Sequence, residues 1–164
     1  MVEAGIRVLI NGIILKDSKE ISHIFVDHMT GIDKAVSYLK SMGHTHIAMV
    51  STFGRNSNFD IRDRMFFSAM DKYLPDSPKI FVSETGIRNP DMDSSYSLTK
   101  RLLTDHPEVT AVICLNDLMA YGVIQAAAYF NKSVPDELSV IGMDDIYISR
   151  NFNPTVTSIG FDKR

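Results

Sequence analysis

Four short apolar runs punctuate the chain: IAMVS (Ile47 to Ser51), KIFVSE (Lys79 to Glu84), AVICL (Ala111 to Leu115) and SVIGM (Ser139 to Met143). A strand with one face in water alternates apolar and polar residues, whereas a strand covered on both faces does not. These runs do not alternate, and longer segments of helical spacing separate them. That is the grammar of repeated βαβ units, so the fold class predicted is α/β, a parallel sheet flanked by helices on both faces.

The intervening segments FDIRDRMFFSAMDKYL, DMDSSYSLTKRLLTDH and DLMAYGVIQAAAYFN carry apolar residues three and four apart. His106-Pro107 and Asn131 with Pro135 supply their stops. TGIDKAVSYLKSMGH reads as a further helix, with Thr30 as its N-cap and Gly43 as its C-terminal glycine. IRVLIN, ISHIFVD and PTVTSIGFDKR are additional strand candidates near the two ends.

Length and charge narrow what such a sheet can do. The 164 residues, 45% hydrophobic and 23% charged, suffice for one domain with a sizeable core. Lys and Arg number 17 against 20 Asp and Glu, and no basic run occurs, so this chain lacks the footprint of direct nucleic-acid binding. The single cysteine, Cys114, sits inside AVICL, which reads as an inert buried thiol in a reducing compartment. MVEAGIRVLINGIIL has neither a signal-peptide pattern nor a membrane-length apolar run, which points to the cytoplasm.

In an open parallel sheet, ligands bind beyond the carboxyl ends of the strands, where helix N-termini point outward. After IAMVS come Thr52, Phe53, Arg55 and Asn56, with Arg62 opening the next helix; after AVICL come Asn116 and Asp117; after SVIGM come Asp144 and Asp145. Carboxylates that accept hydroxyl hydrogen bonds, a planar guanidinium fork and an amide that does both form a polyol-recognition set. Structural readings stand beside this one. Asp117 precedes an apolar helix as a cap would, Asp145 fits a cap on the short IYIS turn, and Arg62 reads equally as a solvated helix residue.

Other chemistries find little support. Asp144 and Asp145 have no third acid nearby to complete a hard-cation site, and His44 and His46 lack zinc partners, so no metal is expected. No GxGxxG or GxxxxGK occurs, which removes the usual anchor of a nucleotide cofactor, and none is expected. A GxSxG elbow is also absent, and adjacent carboxylates suit neither arrangement of a glycosidase, so binding without catalysis is the expectation.

AVICLNDLMAYGVIQAA, followed by SVPDELSVIGMDD and NPTVTSI, closely resembles the LacI family of bacterial transcriptional regulators. FVDHMTGIDKAVSYLKSMGHTHIAMVS is similar to an earlier stretch of the same family. The resemblance implies a periplasmic-binding-protein-like sensor of two lobes, with a small effector, most often a sugar or sugar derivative, in the cleft between them. It implies that residues 1–27 are a remnant of the first lobe and the crossover, 28–159 the second lobe, and 160–164 the start of the return crossover. Operator DNA would be met only through a helix-turn-helix outside this chain.

Carried over by position, the resemblance makes Asp144 an acceptor of ligand hydroxyls, Asn116 a cleft amide and Arg62 a pocket guanidinium. Asn11 and Asp27 fall at positions facing the same cleft. Two departures stand out: RDRMF replaces the family's RxxGF, and TGIRNPDMD offers no ring where an aromatic often covers the ligand, leaving Phe53 or Phe59 to substitute. Tyr121 and Phe152 fall where the family's second lobe contributes to a homodimer, with core roles as the alternative. A sugar-binding protein of a transport system remains the competing expectation.

Overall fold

A computed structural model describes residues 7–11, 21–24, 27–52, 61–84, 91–151 and 153–161. In chain order the elements are β1 (Val8–Asn11), β2 (Ile21–Ile24), α1 (His28–Ser41), β3 (Ile47–Val50), α2 (Ile61–Tyr73), β4 (Ile80–Val82), α3 (Met92–Asp105), β5 (Ala111–Cys114), α4 (Asp117–Tyr129), β6 (Ser139–Met143), α5 (Tyr147–Asn151) and β7 (Thr157–Ile159). Strands β3 to β7 form one five-stranded sheet in the order β4-β3-β5-β6-β7, parallel throughout. Strands β1 and β2 pair in parallel as a separate two-stranded sheet.

The strand order explains the two helical layers. From β3 the chain steps to one side, reaching β4, and then returns past β3 to β5 and β6 on the other. Because parallel crossovers are right-handed, α2 and the pair α3 and α4 must cover opposite faces. Accordingly α1 packs with α2, and α3 with α4. The tightest approach is at Gly122 of α4, where a Cβ would run into the Met92 carbonyl and the Ser95 hydroxyl of α3.

The central strands carry the core, with all four residues of β3 and all four of β5 fully buried. Phe66 and Met70 from α2, Leu98 and Leu102 from α3, and Met119 from α4 close over them. Each large apolar side chain removed from water in this way contributes roughly 1.5–3 kcal/mol. β3, β5 and β6 are therefore strands for the predicted reason, with both faces covered, whereas β4 lies at the edge of the sheet and buries only Ile80, with Phe81 and Val82 half-buried.

Local signals at the helix ends differ from the expectation in two places. The N-cap of α1 is Asp27, whose carboxylate accepts from the Thr30 amide at 3.1 Å and the Thr30 hydroxyl at 2.5 Å, so Thr30 supports the cap and does not form it. The N-cap of α4 is Asn116, accepting from the Met119 amide at 2.8 Å, and Asp117 is the first helical residue. The predicted stops hold: Gly43 follows α1 at φ 93°, and Asn131 follows α4 at φ 54°, both in the left-handed region that ends helices.

Candidate functional site

The strand order reverses between β3 and β5, whose outgoing connections run to opposite sides. That divergence opens a crevice at the carboxyl edge, the place where open α/β sheets bind ligands. Register then aligns the residues just past the strand ends. Met49 pairs with Ile113, and Ile113 with Ile141. Thr52, Asn116 and Asp144 each lie three residues beyond those partners, so they occupy equivalent positions on three neighbouring strands. At about 4.8 Å between strands, the row is on the order of 10 Å long, the size of a small hydroxylated molecule.

Arg62 joins this row from above. It is the second residue of α2, and its Nη1 donates to the Leu115 carbonyl at 2.9 Å, which lays the guanidinium across the end of β5 beside Asn116. Asn116 is half-buried and uses its side-chain oxygen on the cap. Asp144, also half-buried, has φ 95°, and its amide donates to the Ile159 carbonyl at 3.0 Å. Arg62, Asn116 and Asp144 therefore share one edge.

The paired carboxylates divide. Asp145 forms a two-pronged ion pair with Arg150, one arm being Nε to Oδ1 at 2.9 Å, and its amide donates to the Ser158 hydroxyl at 3.0 Å. It ties the turn to α5 and β7 through these bonds. Asp27, at the start of α1, reaches the same edge beyond β7: Gly31 in the first turn of α1 lies against Ile159. The side chain of Asn11, and Phe53 and Phe152, lie outside the described residues.

Two functional candidates were under-read in the sequence. The first is Thr52, which is 1% exposed and whose hydroxyl has no hydrogen-bond partner among the described residues. A buried orphan hydroxyl costs free energy, and such a group at a crevice is an available contact for something polar. Sequence shows only that Thr52 comes after a strand; its burial could not be read there. The second is Asp117, which is not a cap but a fully buried carboxylate. It accepts from the Ile146 amide at 3.0 Å, the Ser149 hydroxyl at 2.5 Å and the Ser158 hydroxyl at 2.6 Å.

The remaining reactive side chains lie elsewhere. At the opposite, amino edge of the sheet His44 bridges the Thr110 hydroxyl (2.8 Å, Nδ1) and the Ser139 hydroxyl (3.0 Å, Nε2), and partial burial lowers its pKa. Cys114 is fully buried, and desolvation, followed by the charge of Asp117, pushes its thiol far above the usual range. Tyr121 is 7% exposed and donates its hydroxyl to the Ile148 carbonyl at 3.0 Å, so its ring braces α5 from beneath. Leu118 of α4 and Tyr147 and Ile148 of α5 are exposed apolar side chains. Among the described residues no three metal-type side chains converge, and no helix is long and apolar enough to cross a membrane.

Comparison with known proteins extends this picture. A family model described as a periplasmic binding protein-like domain matches residues 36–164. The HTH-type transcriptional repressor PurR of Histophilus somni is 34% identical over 125 residues, covering 76% of this chain and 37% of the repressor. The probable HTH-type transcriptional repressor ExuR of Bacillus subtilis is 31% identical over 144 residues, covering 87% of this chain and 42% of the repressor. A LacI family transcriptional regulator from Enterococcus faecium, solved with bound ribose, superposes with a TM-score of 0.82 at 26% identity, over 98% of this chain and 58% of that one. The chain thus spans less than half the length of these two repressors.

Proposed function

Because the chain belongs to the periplasmic-binding-protein-like family, as the effector-binding domain of a LacI-family regulator, we propose that it senses a small polyhydroxylated effector for a cytoplasmic transcriptional regulator. The observation that carries this reading is the row of Thr52, Asn116 and Asp144 at the sheet's switch point, with the Arg62 guanidinium laid across it. In this reading Asp144 accepts ligand hydroxyls, Asn116 donates from its amide, and Arg62 binds a hydroxyl or an acidic group. Asn11 contributes from the first lobe, Asp27 from the crossover and Phe53 from the segment that follows Thr52, with residues 1–27 belonging to the first lobe and its crossover. The ribose held by the Enterococcus faecium relative supports a sugar or sugar derivative as the class.

The effector acts by preferring one arrangement of the two lobes, and the DNA affinity of the whole regulator tracks that preference. The regulator's macromolecular partners are operator DNA, met only through a helix-turn-helix outside this chain, and a second copy of the chain, met through α4 and α5 around Tyr121 and Phe152. Repressor relatives at 31–34% identity weigh against a transport protein. The test is a thermal-shift and calorimetric panel of neutral sugars, hexuronates, sugar phosphates and purine bases on the full regulator. A hydroxylated compound should raise the unfolding temperature, and Asp144→Asn should weaken it by at least about tenfold, the loss of a charge-assisted hydrogen bond. Binding that survives Asp144→Asn and Asn116→Ala unchanged would remove the site from this edge.

A further inference from the structure

Asp117 is a buried charge that the proposed binding chemistry does not use. Taking a carboxylate out of water is costly, and it persists only where donors surround it. The positive end of α4 supplies part of the compensation. The rest comes from three donors on three segments: the Ile146 amide in the turn after β6, the Ser149 hydroxyl in α5 and the Ser158 hydroxyl in β7. Capping does not explain this, since Asn116 already caps α4.

The turn these donors hold is the one that carries Asp144. Asp144 and Asp145 have φ of 95° and 46°, two successive residues in a left-handed region that costs most side-chain-bearing residues energy and Asp less than most. A short relay of hydrogen bonds spans the turn, beside the Asp144 amide's bond to the Ile159 carbonyl and the ion pair of Asp145 with Arg150. The Asp145 amide donates to the Ser158 hydroxyl, Ser158 donates to one oxygen of Asp117, and the Ile146 amide donates to the other. Gly142 makes room, because a Cβ there would strike the Asp117 carboxylate.

We propose that Asp117, acting through Ser158 and the Ile146 amide, is the positioning residue that aims the Asp144 carboxylate into the crevice. The inference rests on the effector-binding reading of Asp144. It divides the adjacent pair Asn116-Asp117 into one residue facing the ligand and one holding the neighbouring strand's ligand residue in place.

The experiment is hydrogen exchange on the full chain without ligand, with the side-chain carboxyl-carbon NMR resonance of Asp144 read on the same proteins. The variants are Ser158→Ala, Ser158→Thr and Asp117→Asn. Ser158→Ala should speed exchange of Asp145 and Ile146 by about tenfold, the worth of one hydrogen bond, and shift the Asp144 resonance, while β3 and β5 keep their protection. Ser158→Thr, which restores the hydroxyl, should recover both signals. Asp117→Asn should reproduce the Ser158→Ala pattern or exceed it; if it fails to fold, the two Ser158 variants decide the matter. An unchanged turn and resonance in Ser158→Ala would overturn the proposal, as would exchange that rises evenly over the whole sheet. Failure of every compound in the effector panel would instead remove the reading of Asp144 and leave the result for the turn standing.

Discussion

Thr52→Val is the substitution with the most telling sign. The hydroxyl of Thr52 is buried at the end of β3, and among the described residues no partner replaces the hydration that folding removes. An orphan of this kind costs about 1–3 kcal/mol, and valine keeps the shape while removing the polar atom. Allowing for relaxation, the variant should be more stable by about 1 kcal/mol, which for a chain of this size raises Tm by roughly 2–4 °C. If the effector supplies the missing partner, the same change should weaken its binding about fivefold, one neutral hydrogen bond. Thr99→Val is the control, because Thr99 in α3 is equally buried and, among the described residues, equally without a hydrogen-bond partner, but belongs to the helix layer. It should gain similar stability and leave binding alone. Urea unfolding with calorimetric titration of the bound compound reads both quantities. Destabilisation by Thr52→Val would refute the claim of an unsatisfied hydroxyl, and stabilisation without loss of affinity would show that the ligand does not reach it.

Gly142→Ala should cost about 3 kcal/mol, since the new methyl meets the Asp117 carboxylate and backbone inside a packed layer; a urea midpoint within error of the parent would contradict that packing. His44 gives a pH dependence whose sign comes from burial. Its folded pKa is depressed below the unfolded value near 6.5, so the stabilisation is complete above about pH 6.5 and is lost as pH falls through the folded pKa, where the unfolded chain binds the proton first. His44→Gln should flatten the fall in stability below that pH, and an identical slope in parent and variant would count against it. For the proposed dimer through α4 and α5, replacing Tyr147, 82% exposed, together with Ile148 by Asp should lower the mass found in sedimentation equilibrium to that of a monomer; an unchanged mass would count against this face.

The fold was legible because burial on both faces leaves a mark in composition. β3 and β5 are apolar at every position, and no surface strand could be. Stops at Gly43 and Asn131 were legible too, since a left-handed backbone selects those residue types. The site was half legible. Spacing after each strand brings Asn116 and Asp144 to one edge, but register alone makes them neighbours, and register is a tertiary property. The division of labour within adjacent pairs could not be read. Asn116 and Asp117 both suit a cap, as do Asp144 and Asp145 a ligand. Which one turns inward depends on donors at Ile146, Ser149, Arg150 and Ser158, distant in sequence from Asn116 and Asp117 and fixed only once β7 docks beside β6. A carboxylate chosen by partners this remote in the chain declares its role through burial, and burial is what a linear reading assigns least well to a charged residue.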